Sequence, residues 1–212
     1  FNDVVVPIVA DDATEASASP ASITFTSGNW NLPVTVTVTG VDDLVADGNQ
    51  SFAVQVGPAM SADSGYLGLS GPNVGGVNLD DETAGINVTP TLGLITSESG
   101  ASDTFDVVLN SQPTANVIIT LVGNPGEGTL SDATLTFTSG NWDSPQTVTV
   151  TGVDDFVADG AQTFTIVTGV AGSGDPNYNG IDPNDVSAVN VDDDSAGTTI
   201  EALFPLSTTE EG

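Results

Sequence analysis

The feature that most constrains the fold is an internal repeat of 112 residues. The stretch SGNW ends at Trp30 and again at Trp142, and the stretch VNLDDETAG from Val77 returns as VNVDDDSAG from Val189. Both pairs lie 112 residues apart. A fixed offset of this kind indicates copies of one structural unit rather than a single large domain.

The repeat divides the sequence into three parts of unequal length. Residues 1–83 hold the later part of one repeat and lack its first strands, residues 84–195 form a complete repeat, and residues 196–212 open a further one. The last assignment depends on TSESG and TTEEG, which place Glu98 and Glu210 at the same repeat position.

Every regular segment within a unit has the pattern of a β-strand. Stretches such as VTVTVT and TLTFT alternate apolar and hydroxyl residues, NVIITLV is rich in β-branched residues, and Gly, Asn, Asp or Pro interrupt such stretches every 8 to 12 residues or so. Alternation puts the Val side chains toward a core and the Thr side chains toward water. The sequence therefore predicts an all-β protein of tandem antiparallel sandwiches, each with roughly seven strands. Trp30 and Trp142 are expected to be structural plugs between strands, with a platform for sugar stacking as the alternative.

The charge composition excludes several classes of partner. The chain has 29 Asp and Glu residues and no Lys, Arg or His, so its formal net charge is −29. Such a field repels nucleic acids and anionic membrane surfaces and attracts dissolved cations. No apolar run is long enough to span a bilayer. Without Cys there are no disulfides, and without His, Lys, Arg or Cys an enzyme is disfavoured, although paired carboxylates alone can cut glycosidic bonds.

The carboxylates cluster where predicted strands end. If the strands point the same way, one pole of the complete unit collects Asp154, Asp155, Asp159, Asp192, Asp193 and Asp194, and Glu98 joins them from the end of a first strand. Like charges at this density need a counter-cation. Calcium fits best because it takes six to eight oxygens in irregular loops, whereas magnesium prefers strict octahedra. The alternative is a set of solvated turns, since Asp favours turns for its own hydrogen bonding.

Three stretches of the complete unit occur in a characteristic order: SESG (97–100), TVTVTGVDDFVADGAQTF (147–164) and VNVDDDSAG (189–197). Together they resemble the Calx-beta repeat, an immunoglobulin-like sandwich of calcium exchangers, integrin beta-4 and many bacterial surface proteins. The resemblance implies immunoglobulin-like folds and calcium ligands at Glu98, Asp154, Asp155, Asp159, Asp192, Asp193 and Asp194. In the first unit it implies ligands at Asp42, Asp43, Asp47, Asp80, Asp81 and Glu82. Where the family often has a second Glu, this chain has Gln50 and Gln162.

Three further residues fall outside this ligand set. Asp175 is expected to cap a loop, with calcium ligation as an alternative. Glu15 and Glu127 match at the repeat offset and are left out of the predicted site.

The resulting functional hypothesis is a non-catalytic, extracellular, calcium-stabilised rod in a bacterial surface fibre, filament or adhesin stalk. The alternative is a calcium-dependent adhesin module that binds a glycan or protein. Neighbouring copies are expected partners, because the 198–212 tail has the pattern of the first strand that the first unit lacks; covalent continuation of the array is the alternative. Covalent glycans are a further possibility, since Asn49 and Asn87 lie in N-glycosylation patterns.

Overall fold

The structure is a computed structural model that describes residues 2–201 and 209–210. The described residues form no helix that is long and apolar enough to cross a membrane. Short strands joined by turns account for the regular structure. The first unit, defined here by its strands, contains β1 (Val4–Ala10), β2 (Ala16–Ser19), β3 (Ser22–Phe25), β4 (Thr37–Gly40), β5 (Gln50–Val56), β6 (Met60–Ser61) and β7 (Val74–Asn78).

The second unit has ten strands. They are β8 (Ile86–Thr89), β9 (Leu94–Ser97), β10 (Ser102–Leu109), β11 (Val117–Val122), β12 (Gly128–Leu130), β13 (Thr134–Phe137), β14 (Gln146–Gly152), β15 (Gln162–Thr168), β16 (Gly172–Ser173) and β17 (Val186–Val191). One sheet has the order β12-β14-β10-β8, and the other has the order β13-β11-β15-β17-β9 with β16 beside β11. The second unit has more strands than the predicted seven for two reasons. A turn splits its opening segment into β8 and β9, and short strands such as β16 pair separately.

The predicted all-β, immunoglobulin-like architecture is confirmed, with one difference in strand direction. Every described strand pair is antiparallel except β9 and β17, which run parallel with Leu94 opposite Ala188 and Ser97 opposite Val191. Since parallel strands end at the same edge of a sheet, the residues that follow β9 and β17 lie close together. This pair determines where the acidic residues meet.

Most of the buried apolar side chains lie in the second unit. Its two sheets enclose one cluster of buried side chains that includes Phe105, Phe137, Val148, Val150 and Ile166, and Trp142 packs against this cluster. The inward-facing Val pattern expected from the alternation in TVTVT (147–151) is therefore correct in the second unit. Burying these apolar side chains supplies the main stabilising free energy of such a sandwich.

The first unit leaves more of its large apolar side chains exposed than the second unit does. Its larger sheet has the order β3-β1-β5-β7 with β6 beside β1, and β2 pairs only with β4. No described strand lies where β8, β9 and β10 lie in the second unit, so Val38 is exposed although its repeat partner Val150 is buried. For the same reason the expectation for Trp30 was wrong, because its side chain is 71% exposed.

The two units contact each other through the acidic loop that follows β4. The backbone N–H of Gln112 donates to the Leu44 carbonyl at 2.7 Å, and the Asn177 side-chain amide donates to the Ala46 carbonyl at 2.7 Å. This loop therefore lies beside the second unit.

Candidate metal centre

Some of the aspartates accept hydrogen bonds from the backbone of the turns in which they lie. After β14, Asp155 Oδ1 accepts a 2.7 Å hydrogen bond from the Val157 N–H, and after β4, Asp43 Oδ1 accepts an equal bond from Val45. Such Asx turns are a common reason for Asp in loops. The solvated-turn interpretation thus accounts for one carboxylate oxygen of Asp43 and one of Asp155. The other oxygen of each residue does not take part in these turn hydrogen bonds.

A second aspartate in each unit ties two loops together. Asp192 accepts the Asp194 N–H at 2.7 Å on Oδ1 and the Gly160 N–H at 2.6 Å on Oδ2. Asp80 makes the equivalent pair of bonds with Glu82 at 2.9 Å and with Gly48 at 2.6 Å. These backbone donors hold the pKa of Asp192 and of Asp80 below its usual value. Both carboxylates stay charged and fix the loop after β17 or β7 to the preceding acidic loop.

Glu98 is the centre of the acidic cluster in the second unit. It follows β9, is only 6% exposed, and accepts a 3.3 Å hydrogen bond from the Asp193 N–H. Carboxylate oxygens of Glu98, Asp154 and Asp193 form one group, and those of Glu98, Asp192 and Asp194 form another. Within each group the three oxygens lie within 4.8 Å of one another. The carboxylates that follow β9, β14 and β17 therefore lie together in this cluster.

The electrostatics of this cluster are unfavourable without a cation. Burial raises the pKa of Glu98, and the charges of Asp192 and Asp155 raise it further, while the Asp193 N–H lowers it. Burial and the neighbouring charges of Asp192 and Asp154 likewise raise the pKa of Asp194. Asp194 Oδ2 is buried and has no hydrogen-bond partner. An unpartnered buried carboxylate oxygen is costly, so this arrangement favours a bound positive charge.

The first unit gathers a similar set of oxygens. Asp42, Asp81 and Glu82 form one group, and Asp43 and Asp47 form another with Glu15. The residues line a cavity of about 150 Å³, which has room for an ion and several waters. Burial raises the pKa of Glu82, with its bond to Asp80 and the charge of Asp81 next in importance.

The predicted ligands are not all equivalent. Asp80, Asp155 and Asp159 belong to none of the four groups of carboxylate oxygens found among the described residues. Asp80 and Asp155 use oxygens to hold backbone N–H groups. Asp175 is buried and caps a loop by accepting the Thr114 and Asn177 N–H groups, as the loop-capping interpretation predicts.

One residue omitted from the predicted set does join a group. Glu15 approaches Asp43 and Asp47 and also accepts a 3.2 Å bond from the Asn78 side-chain amide. The signal was present in the sequence as its match with Glu127 at the repeat offset. Glu127 itself is in none of the described groups.

The donor set restricts the chemistry. All the grouped atoms are carboxylate oxygens, and the chain has no Cys or His. Hard cations bind such oxygens, whereas zinc sites normally include thiolate or imidazole. Carboxylate oxygens grouped within 4.8 Å of one another are an arrangement that fits ion binding.

No protein-family model matches the sequence, and no curated protein matches it at a significant level. Among solved structures, CBD12 from CALX1.2 is 16% identical with a TM-score of 0.39, covering 80% of this chain and 68% of that one. The D0-D1 domain of intimin is 16% identical with a TM-score of 0.28, covering 87% and 78%. WR4, an MSP family member of C. elegans, is 10% identical with a TM-score of 0.33, covering 50% and 95%. At these values the likenesses say nothing about function, and the fold assignment rests on the strand pairing above.

Proposed function

We propose that this chain is a non-catalytic, extracellular structural module whose stability depends on calcium, and that it forms part of a bacterial surface fibre, filament or adhesin stalk. The observation that carries the proposal is the position of Glu98. Its buried carboxylate belongs to two groups of acidic oxygens, beside an Asp194 oxygen that has no hydrogen-bond partner. The chain has no cationic side chain that can neutralise them.

Calcium suits these groups better than other common cations. It accepts irregular sets of six to eight oxygens, including carbonyls and waters, at sites formed by loops. Magnesium demands stricter geometry and keeps more of its water. A bound calcium ion supplies positive charge that offsets the repulsion among the carboxylates. Glu98, Asp154 and Asp193 are the proposed ligands of one ion, and Asp192 and Asp194 share Glu98 in a second group.

The proposed mechanical role follows from the strands that carry these ligands. Glu98 follows β9, Asp154 follows the end of β14, and Asp192–Asp194 follow β17. Ligands on three strand ends tie both sheets of the sandwich together at one pole. In the first unit, the loop with Asp42, Asp43 and Asp47 also hydrogen-bonds to the second unit. An ordered loop there limits bending between the units.

The extracellular assignment rests on ion supply and composition. Calcium sites of extracellular modules work at about 10⁻⁴ to 10⁻³ M, the range of external calcium. In this scheme the proposed units are residues 1–83, 84–195 and 196–212. Copies join by strand donation from the 198–212 tail, and surface glycans at Asn49 and Asn87 are compatible with the rod.

Calorimetric titration of the chelated protein with calcium and magnesium tests the proposal. We expect calcium-selective binding that weakens in Glu98→Gln, which removes a ligand from both groups of the second unit. Glu127→Gln is the matched control, because Glu127 joins no described group. Equal binding of both metals, or equal behaviour of the two variants, would overturn the assignment. Calcium-dependent hits on a glycan array would favour the adhesin module instead.

A further inference from the structure

Each unit carries a pair of side-chain amides beside its acidic loop, the segment that follows β14 in the second unit and β4 in the first. Gln162 at the start of β15 is opposite Asn190 in β17. Gln50 at the start of β5 is likewise opposite Asn78 in β7. The two pairs lie 112 residues apart, so they occupy the same position of the repeat. The acidic loops are residues 41–48 and 153–160.

The glutamine of each pair binds the end of the acidic loop. Nε2 of Gln162 donates to the Asp159 carbonyl at 3.2 Å and to the Gly160 carbonyl at 3.1 Å. Nε2 of Gln50 donates to the carbonyl of Asp47, the repeat partner of Asp159, at 3.1 Å. Carbonyl oxygens only accept hydrogen bonds, so the amide nitrogen is the donor in both units.

The asparagine of each pair binds the start of the same loop. Asn190 is 1% exposed, and its Nδ2 donates to the Val153 carbonyl at 2.9 Å. Nδ2 of Asn78 donates to the equivalent Val41 carbonyl at 2.7 Å. Because the chain has no Lys, Arg or His, side-chain N–H donors come only from Asn, Gln and Trp. Neutral amides therefore hold both ends of each acidic loop.

The ends of the loops are connected to the grouped carboxylates. The Gly160 N–H donates at 2.6 Å to Asp192, which belongs to one group with Glu98 and Asp194. Gly160 has a φ of 77°, in the left-handed region that favours glycine. In the first unit, Asp47 itself contributes a carboxylate to a group. Holding the carbonyl of Gly160 or of Asp47 in place thus also holds a carboxylate of the proposed site.

We infer that Gln162 and Asn190, and in the first unit Gln50 and Asn78, are positioning residues that hold each acidic loop in its observed form before any cation binds. This inference rests on the proposed function. A loop that is already formed loses less conformational freedom when the ion binds. If only a fraction of the loops has the binding-competent form, the apparent dissociation constant rises as that fraction falls.

The charge of the loops explains why neutral donors suit this position. Grouped carboxylates repel one another when no ion is bound, which favours forms of the loop that separate them. A hydrogen bond from an amide opposes this opening. A Lys or Arg in the same place would neutralise a carboxylate and compete with the ion. The amides position the loop and leave its negative charge available to a cation.

Hydrogen exchange of the full chain, measured in chelator and across a calcium series, tests this inference. In Gln162→Ala, the amides of residues 155–160 are expected to exchange faster in chelator. The calcium concentration that half-protects them is expected to rise about two- to tenfold, the range for the loss of one neutral hydrogen bond. Gln146→Ala is the matched control, because Gln146 donates to the Thr136 carbonyl in β13, outside the loop. Gln162 suits the test better than Asn190 because it is only half-buried.

A second substitution separates the hydrogen bond from packing. Gln162→Glu keeps nearly the same shape, but an ionised Glu has no N–H to donate. Its loop is expected to exchange in chelator at least as fast as the loop of Gln162→Ala. Gln146→Glu adds the same charge outside the loop and is expected to match the original chain. If Gln162→Glu exchanges like the original chain, the side chain only fills space and the inference is overturned.

The remaining outcomes separate this inference from the proposed function. If calcium protects the loop but Gln162→Ala and Gln146→Ala behave alike, the positioning role is wrong and the proposed function stands. A lower melting temperature in Gln162→Ala with an unchanged calcium midpoint would show a merely structural role and would also overturn the inference. If calcium changes nothing in the original chain, the proposed function fails, and the exchange rates in chelator decide whether the amides hold the loop.

Discussion

Tyr66 and Tyr178 occupy the same position of the repeat, yet Tyr66 is 52% exposed and Tyr178 is 1% exposed. The hydroxyl of Tyr178 accepts the Ser111 N–H at 3.0 Å and donates to the Ser111 carbonyl at 2.6 Å. Tyr178→Phe leaves the buried Ser111 groups without partners, so we expect a loss of about 1–3 kcal/mol in the free energy of unfolding.

Tyr66→Phe is the matched control, since the structure gives the Tyr66 hydroxyl no hydrogen bond among the described residues. Its unfolding free energy is expected to change by less than about 0.5 kcal/mol. Urea unfolding of both variants in saturating calcium checks the pair. An equal loss in both variants would contradict the attribution of the loss to the Tyr178–Ser111 hydrogen bonds.

Gly152 is required by the close approach of β9. A Cβ on Gly152 would lie well inside the 3.0 Å that real Cβ atoms keep from other atoms, against the Ser97 carbonyl oxygen and Asn190 Oδ1. We expect Gly152→Ala to displace β9 and to lower the unfolding free energy by about 1–3 kcal/mol. Gly172→Ala, which has open space around its Cβ, is the control. Equal melting temperatures for the two variants would contradict the packing of β9.

Glu98→Gln is expected to have opposite effects with and without calcium. In chelator, the substitution removes a buried carboxylate whose pKa is raised by burial and by Asp192 and Asp155, so the melting temperature should rise. In saturating calcium the same substitution removes a ligand, so the melting temperature should fall below that of the original chain. Thermal unfolding in chelator and in calcium measures the direction of the change in melting temperature under each condition. A fall in both conditions would assign Glu98 a structural role only.

The pH dependence without calcium should also show two opposing trends. Burial raises the pKa of Glu98, Asp194 and Glu82, so the folded chain binds protons there before the unfolded chain does. Their destabilising effect is full above the raised pKa values and vanishes below the ordinary values of 4.5 for Glu and 3.8 for Asp. The melting temperature in chelator is therefore expected to rise as pH falls from neutral toward the ordinary Glu value of 4.5.

Below that range the trend reverses. Backbone N–H groups lower the pKa of Asp192 and Asp80, and the stability that these bonds provide is present above 3.8 and is lost as pH falls through the lowered values. A pH series by scanning calorimetry in chelator should thus pass through a maximum. A steady loss of stability from pH 7 downward would contradict the unfavourable burial of Glu98 and Asp194.

The sequence was sufficient for the strand pattern and for the gathering of acidic residues at strand ends. Alternation predicts inward Val148 and Val150 because both faces of β14 are determined by local spacing. It also predicts burial of Val38, which is wrong in the described structure because burial depends on a covering strand that local spacing cannot show. The parallel pairing of β9 with β17 was not predicted, since pairing partners are distant in sequence. Glu15 was missed because it reaches the cluster from a separate loop.

The most direct test of the central claim is thermal unfolding of the full chain in chelator and then in rising calcium, with magnesium as the control. Each site filled to 100 times its dissociation constant adds roughly 2.7 kcal/mol to the free energy of unfolding. The account predicts a large rise in melting temperature that is selective for calcium. A folded chain whose melting temperature is the same in chelator, calcium and magnesium would contradict it.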